Sequence, residues 1–254
     1  LFDELPFTEY ESFVLRNSGN DWLSTMFRDA LMTSLVDGVD IDKQDYRPAI
    51  LFINGEYWGI QNIREKVNEH FLAQHHNINS DSVDILEYFG QVVQGDSTDY
   101  LVLHSFIENN SMTIPSNYEY VKSQMEVDNF IKYFVSQIYF DNQDWPGSNI
   151  KYWKKRSTGK WRWILFDTDF GYGIWSSNAY QNNTLQFALE PNGPGWPNPP
   201  WSTLFLRKLL ENISFKNDFI NYFADLSNTN FKPVTVVDKI NSISSIIQPE
   251  IWRH

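Results

Sequence analysis

The stretch "DWPGSNIKYWKKRSTGKWRWILFDTDFGYG", residues 144–173, decides how the chain reads. Two runs inside it, "IKYWKK" and "KWRWILF", carry the apolar and aromatic residues of strands, and the turn-forming "RSTG" joins them. The second run feeds directly into Asp167 and Asp169. Just upstream, "NFIKYFVSQIYF" sets Ile131, Phe134, Val135 and Ile138 on one helical face. The order is therefore an apolar helix, a polar loop bearing Asp144 and Asn149, a two-stranded ribbon, and two carboxylates at its end. Asp167 and Asp169 lie two apart, so a continuing strand would direct both side chains to one face.

Each piece alone is weak. A "DFG" tripeptide arises by chance, and an Asp followed five positions later by an Asn is expected in a chain rich in both. Their joint order is more telling, because protein kinases space a loop Asp and Asn as D-x-x-x-x-N and follow them with a hairpin and D-F-G. Moving a γ-phosphoryl group is mostly positioning and charge neutralisation. It needs carboxylate and amide oxygens around a divalent cation and a carboxylate beside the acceptor hydroxyl. On this pattern Asp144 is the catalytic candidate, and Asn149, Asp167 and Asp169 are the metal candidates.

Outward from this stretch, "NDWLSTMFRDALMTSLVD" from residue 20 has helical apolar spacing, with Asn20 or Asp21 as N-cap. "PAILFINGEYWGIQNI" predicts a β-hairpin over about 48–63, turning at Asn54-Gly55. "REKVNEHFLAQHH" reads as a helix and "VDILEY" as a short strand. From residue 96 the chain turns helical, with Ser116 and Glu119 at capping-box spacing. Between residues 190 and 201, "EPNGPGWPNPPW" excludes regular structure and predicts a long surface loop, and three helical patterns close the chain.

Composition sets limits. The 254 residues carry 20 basic and 32 acidic side chains, a net charge of −12, which opposes binding to nucleic acid. The same charge would repel a nucleotide unless cations bridged it to carboxylates. No apolar run reaches the roughly 20 residues of a membrane span. The absence of cysteine excludes disulfides, thiolate nucleophiles and Cys-type zinc sites, and suits a bacterial secreted or envelope protein. Beginning at Leu1 without a leader, the chain reads as a segment of a longer or processed one.

Four pieces resemble the CotH family of spore coat protein H-like, atypical kinase-like proteins: "LRNSGND" with "FRDAL", "LFINGEYWGIQNIREKV", "FDNQDWPGSNIKYW" and "KWRWILFDTDFGYG". The resemblance implies an α+β, protein-kinase-like fold over 1–254. A hairpin-bearing part over about 1–90 and a mainly helical part over about 91–254 would flank a cleft. It implies a secreted or surface kinase using ATP with Mg²⁺ or Mn²⁺ to phosphorylate Ser or Thr of a partner protein. Carried over by position, Asp144 matches the loop carboxylate, Asn149 the metal-facing amide, and Asp167 and Asp169 the metal ligands. Glu65 matches an acidic position near the nucleotide. Where the family often has Arg-His, this chain has "WPG", and neither a G-x-G-x-x-G loop nor a V-A-I-K strand is present. Arg16, Arg28, Arg64 and Lys66 remain as basic candidates.

Two other classes stand beside this one: a glycan-binding or glycan-hydrolysing module, suggested by ten Trp residues and spare carboxylates, and a catalytically inactive interaction domain. Trp58, Trp161 and Trp163 read as sheet packing, and Trp196 and Trp201 as exposed. Asp37, Asp40, Asp42 and Asp45 invite a calcium loop but in the wrong order for an EF-hand, so a solvated turn is expected. His70 and His75, five apart, splay on a surface helix rather than sharing a metal. The Pro-rich loop follows D-F-G and is expected to contact a partner.

Overall fold

The computed structural model describes residues 1–2 and 5–254. The first part of the chain forms β1 (Phe13–Arg16), α1 (Arg28–Leu35), β2 (Asp42–Lys43), β3 (Tyr46–Ile53), β4 (Glu56–Glu65) and α2 (Glu69–His76). Asn54 and Gly55 both take positive φ, 52° and 84°, as a tight hairpin turn demands, and β3 and β4 pair across it. β1 adds antiparallel to β4, giving a three-stranded sheet in the order β1-β4-β3. On β4 the pleat sends Arg64 and Glu65 to opposite faces, and this alternation matters at the site.

The chain continues through β5 (Val83–Glu87), β6 (Gln91–Gln94), α3 (Thr98–Asn109), α4 (Pro115–Gln124), α5 (Val127–Tyr139), β7 (Lys151–Lys155) and β8 (Arg162–Leu165). A second sheet runs β2-β8-β7-β5-β6, with β2 parallel to β8. The division expected near residue 90 thus falls between two neighbouring strands of one sheet. The helices α6 (Thr184–Ala188), α7 (Leu204–Leu209), α8 (Ile213–Asn228) and α9 (Pro233–Ile251) follow. Architecturally this is a mixed α+β fold.

The core centres on α5, which packs against β8 and α8. Phe130, Ile131, Phe134 and Val135 are at most 1% exposed, and each such side chain contributes about 1.5–3 kcal/mol by burial. Asn129 fastens the same helix to the ribbon: its Oδ1 accepts from the Trp163 amide at 2.6 Å. The helix therefore holds the start of the polar loop and the carboxylate-bearing strand in one frame.

Several expectations need correction. The helix read from residue 20 begins only at Arg28, because the fully buried Asp21 takes the Thr25 amide and hydroxyl and the Arg28 amide and guanidinium, and Met26 turns to a φ of 68°. A side chain that satisfies backbone donors competes with helix formation. Ser116 is not a cap: α4 begins at Pro115, and Glu119 pairs with Lys122. Trp161 and Trp163 are buried as expected, but Trp58 is exposed, and Trp201 is half-buried. Asp37, Asp40, Asp42 and Asp45 are taken by Lys43, Lys239, Arg162 and His76, so the expected solvated turn is an ion-paired one with Asp42 buried.

Candidate active site

The loop after α5 is anchored from within. Trp145 is fully buried with its ring 4.9 Å from that of Phe134, and the buried Asn142 donates to the Gln137 side chain at 2.9 Å. Between these anchors Asp144 is held with only 6% of its surface exposed. Asn149 closes the loop in the left-handed region, φ 49°, a conformation that asparagine tolerates better than most residues. Its Nδ2 donates to Asp144 Oδ2 at 2.6 Å and to the Asp167 carbonyl at 3.2 Å. One amide thereby ties the loop to the end of the ribbon.

β8 stops at Leu165, and Asp167 turns into the left-handed region, φ 51°. The strand alternation expected to align Asp167 with Asp169 is therefore absent; long-range contacts gather them instead. Arg16, from the end of β1, pairs its guanidinium with Asp167 at 3.0 Å. The Asn20 amide donates to Asp169 Oδ2 at 2.8 Å. Between them Thr168 is buried, and its amide and hydroxyl both donate to Asp29 at 2.9 Å. Asp29, on α1, also pairs with the buried Arg64 of β4 at 3.0 Å.

Two glycines make this closeness possible. At Gly19, φ 62°, a side chain would collide with the Asp169 carboxylate and the Arg16 guanidinium. At Gly171 a methyl would lie 2.6 Å from Met32 Sδ and 2.8 Å from the Phe140 carbonyl. Arg28 adds a latch, donating to the carbonyls of Gly171 at 3.2 Å and Tyr172 at 2.8 Å.

The electrostatics are unbalanced. Burial, then the nearby charges of Asp167 and Asp169, push the Asp144 carboxyl up to about 7. Burial, then Asp167, push Asp169 up to about 6, against the opposing Asn20 hydrogen bond. Asp29 is just as desolvated, yet Arg64, the Thr168 hydrogen bonds and Arg16 hold it below the usual carboxylate range. The contrast isolates the cause: Asp29 has its cations, whereas Arg16 pairs with Asp167 and only partly offsets the repulsion on Asp169, and Asp144 meets the like charges of both. Asp144 Oδ1 is moreover buried without a hydrogen-bond partner.

These residues fit a hard divalent cation. The donors are carboxylate and amide oxygens, and the charge excess is what a cation would relieve. Among the described residues no group of three or more His, Asp or Glu side chains forms a ready-made metal cage. Mg²⁺ characteristically takes one or two protein carboxylates and completes its shell with water and substrate phosphates.

Asp144, Asn149, Asp167 and Asp169 are thus brought together, and Glu65 is not. Its carboxylate accepts from the Asp45 amide at 2.9 Å and meets His75 Nε2 at 2.7 Å, on the face of β4 opposite Arg64. The partners that composition and spacing missed are Asn20 and Asp29. The fragments "LRNSGND" and "FRDAL" contain both, but nothing local reveals that they meet residues 139 to 149 positions away.

A family model described as CotH kinase protein matches residues 2–254. The chain belongs to the CotH family. The match spans all four resembling fragments and the helices beyond them, so the carboxylate cluster lies well inside the family region. No curated protein matches the chain.

Proposed function

We propose that this CotH-family chain transfers the γ-phosphoryl group of ATP, with Mg²⁺ or Mn²⁺, to a serine or threonine hydroxyl of a partner protein, using a kinase-like fold. Family membership supports kinase-like chemistry. The single observation that carries the assignment to this cleft is the buried, unpartnered Oδ1 of Asp144 among three carboxylates.

In this mechanism Asn149 fixes Asp144 through Oδ2 and leaves Oδ1 for the acceptor hydroxyl. The acceptor O–H bond breaks and its proton passes to Asp144. The acceptor oxygen bonds to the γ-phosphorus as the bond to the β,γ-bridging oxygen breaks, and ADP leaves with that electron pair. A carboxyl poised near 7 suits proton uptake at neutral pH. The divalent cation, held by Asp167, Asp169 and Asn149, would neutralise phosphate charge and orient the phosphates. Arg16, only partly buried against Asp167, supplies a guanidinium for phosphate oxygens and takes the place of the missing basic loop residue. Arg64 and Asp29 act at one remove by holding Thr168, and Glu65 by bracing the end of β4 against α2.

Incubating the protein with γ-labelled ATP, Mg²⁺ and a panel of Ser- and Thr-bearing proteins tests this. Label transfer by the wild type and none by Asp144→Ala is expected. Transfer that survives in Asp144→Ala removes the assigned base. Mg·ATP binding without transfer to any acceptor would favour the inactive interaction domain.

A further inference from the structure

The segment over residues 170–201 is built onto the carboxylate cluster at both ends. Phe170 directly follows Asp169. At the far end, Trp196 Nε1 donates to Ser148 Oγ at 2.8 Å, and the Ser148 amide donates to the Asp144 carbonyl at 3.1 Å. The Gly147 amide donates to the Pro197 carbonyl at 2.6 Å. A side chain at Gly147 would collide with Pro197 and Pro199, so the Pro-rich loop lies flush on the Asp144 loop. The loop is also pinned by Asn198, fully buried, which donates to the Phe187 carbonyl at 2.7 Å and accepts from Ser202. As its composition suggests, it is an irregular and largely exposed loop, but one fastened at these points.

What this segment presents is aromatic. The Phe170 ring lies 5.3 Å from Trp175 and 6.2 Å from Trp196, both edge-on. Trp175 and Trp196 are nevertheless 62% and 59% exposed. Trp196 has its one polar side-chain atom occupied by Ser148, which leaves ring surface for any visitor. The segment itself is almost uncharged: between residues 170 and 201 the sole Asp, Glu, Lys or Arg is Glu190, which accepts from the Asn192 amide. Contact area rather than charge is what such a wall can select.

We propose that Phe170, Trp175 and Trp196 form the acceptor-specificity wall of the site, and that it recognises an aromatic or proline ring flanking the phosphorylated hydroxyl. This rests on the phosphotransfer reading above. Aromatic rings meet in offset or edge-to-face pairs at 4.5–7 Å, and aromatic-lined surfaces also receive proline with little ordering cost. A wall fastened to both Asp144 and Asp169 places that ring beside the hydroxyl.

The test compares kcat/KM for serine peptides that differ at one flanking position (Trp, Phe, Pro, Gly, Lys or Asp) in the wild type, Trp175→Ala, Trp196→Ala and Trp196→Phe. The Mg·ATP-dependent melting shift is measured on each protein in parallel. Ring-bearing peptides should exceed the Gly peptide by about tenfold or more in the wild type, an advantage of the size a buried aromatic anchor supplies. Both Ala variants should lose the advantage with the nucleotide shift retained, and Trp196→Phe should keep it. Equal use of all peptides, no transfer to ring-bearing peptides despite a nucleotide shift, or a preference untouched in both Ala variants overturns the proposal. So does Trp-dependent binding of soluble oligosaccharides in place of peptides. A wild type with no Mg·ATP shift instead brings down the phosphotransfer reading itself, and this inference with it.

Discussion

Replacing Asp144 by asparagine should make the ligand-free protein more stable, and the gain should depend on pH. The carboxyl is pushed from 3.8 to about 7 in the folded state, which corresponds to about 4 kcal/mol of differential stability between its protonation states. A raised folded-state pKa means that folding is favoured below the unfolded value and that this advantage is lost as pH rises towards the folded value. At pH 8 the wild type carries the whole penalty; at pH 5.5 Asp144 is mostly protonated in the fold and about 2 kcal/mol of it remains. Asparagine keeps the acceptor oxygen for Asn149 and carries no charge at any of these pH values. The Asp144→Asn advantage should therefore shrink by about 2 kcal/mol between pH 8 and pH 5.5, or about 4–8 °C in Tm for a chain of this size. Urea denaturation of both proteins, without Mg²⁺ or nucleotide, measures it. An Asp144→Asn protein that is less stable at pH 8, or equally favoured at both pH values, would refute the electrostatic account. If the gain does appear, it accompanies loss of phosphotransfer, the trade-off expected where function maintains repulsion.

Further outcomes follow from the same geometry. Asp29→Ala leaves Arg64 as an unpaired buried guanidinium and should cost about 3–5 kcal/mol in urea denaturation, more than the exposed pair-breaking variant Lys122→Ala, which should cost under about 1 kcal/mol. Gly171→Ala forces Met32 or the Phe140 carbonyl aside and should destabilise by about 1–3 kcal/mol by the same assay. Arg16→Gln should weaken Mg·ATP about tenfold or more in a calorimetric titration, an effect of about 1.4 kcal/mol or more for a charge-assisted phosphate contact.

The elements that could be read from sequence are those fixed by local chemistry. Asn54-Gly55 announces its hairpin because few other pairs accept two positive φ values, and α5 announces itself through one unbroken apolar face. The ribbon and the proximity of Asp144 to Asp167 follow because a helix, a short loop and a hairpin leave the chain little freedom. What escaped depends on partners far along the chain. Periodicity predicts a helix from residue 20, yet Asp21 is more valuable as a buried hub for Thr25 and Arg28 than as a cap. β2 and β6 are two and four residues long, and only the sheet they join makes them strands. Glu65 and Arg64 are adjacent letters, but the pleat sends only Arg64 towards the cleft. The Pro-rich loop is irregular and largely solvent-facing as its composition suggests, but its fastenings, Pro197 to Gly147 and Trp196 to Ser148, span about fifty positions and leave no local signal.

The proposed function requires that the carboxylate cleft bind ATP through a divalent cation. Thermal melting of the wild type and Asp167→Ala with Mg²⁺, with ATP, and with both tests it most directly, since a ligand specific to the folded state raises the melting temperature. A shift is expected in the wild type that requires both ligands together and disappears in Asp167→Ala. A shift of equal size with ATP alone, or one retained in Asp167→Ala, would contradict it, as would the absence of any shift at millimolar Mg·ATP.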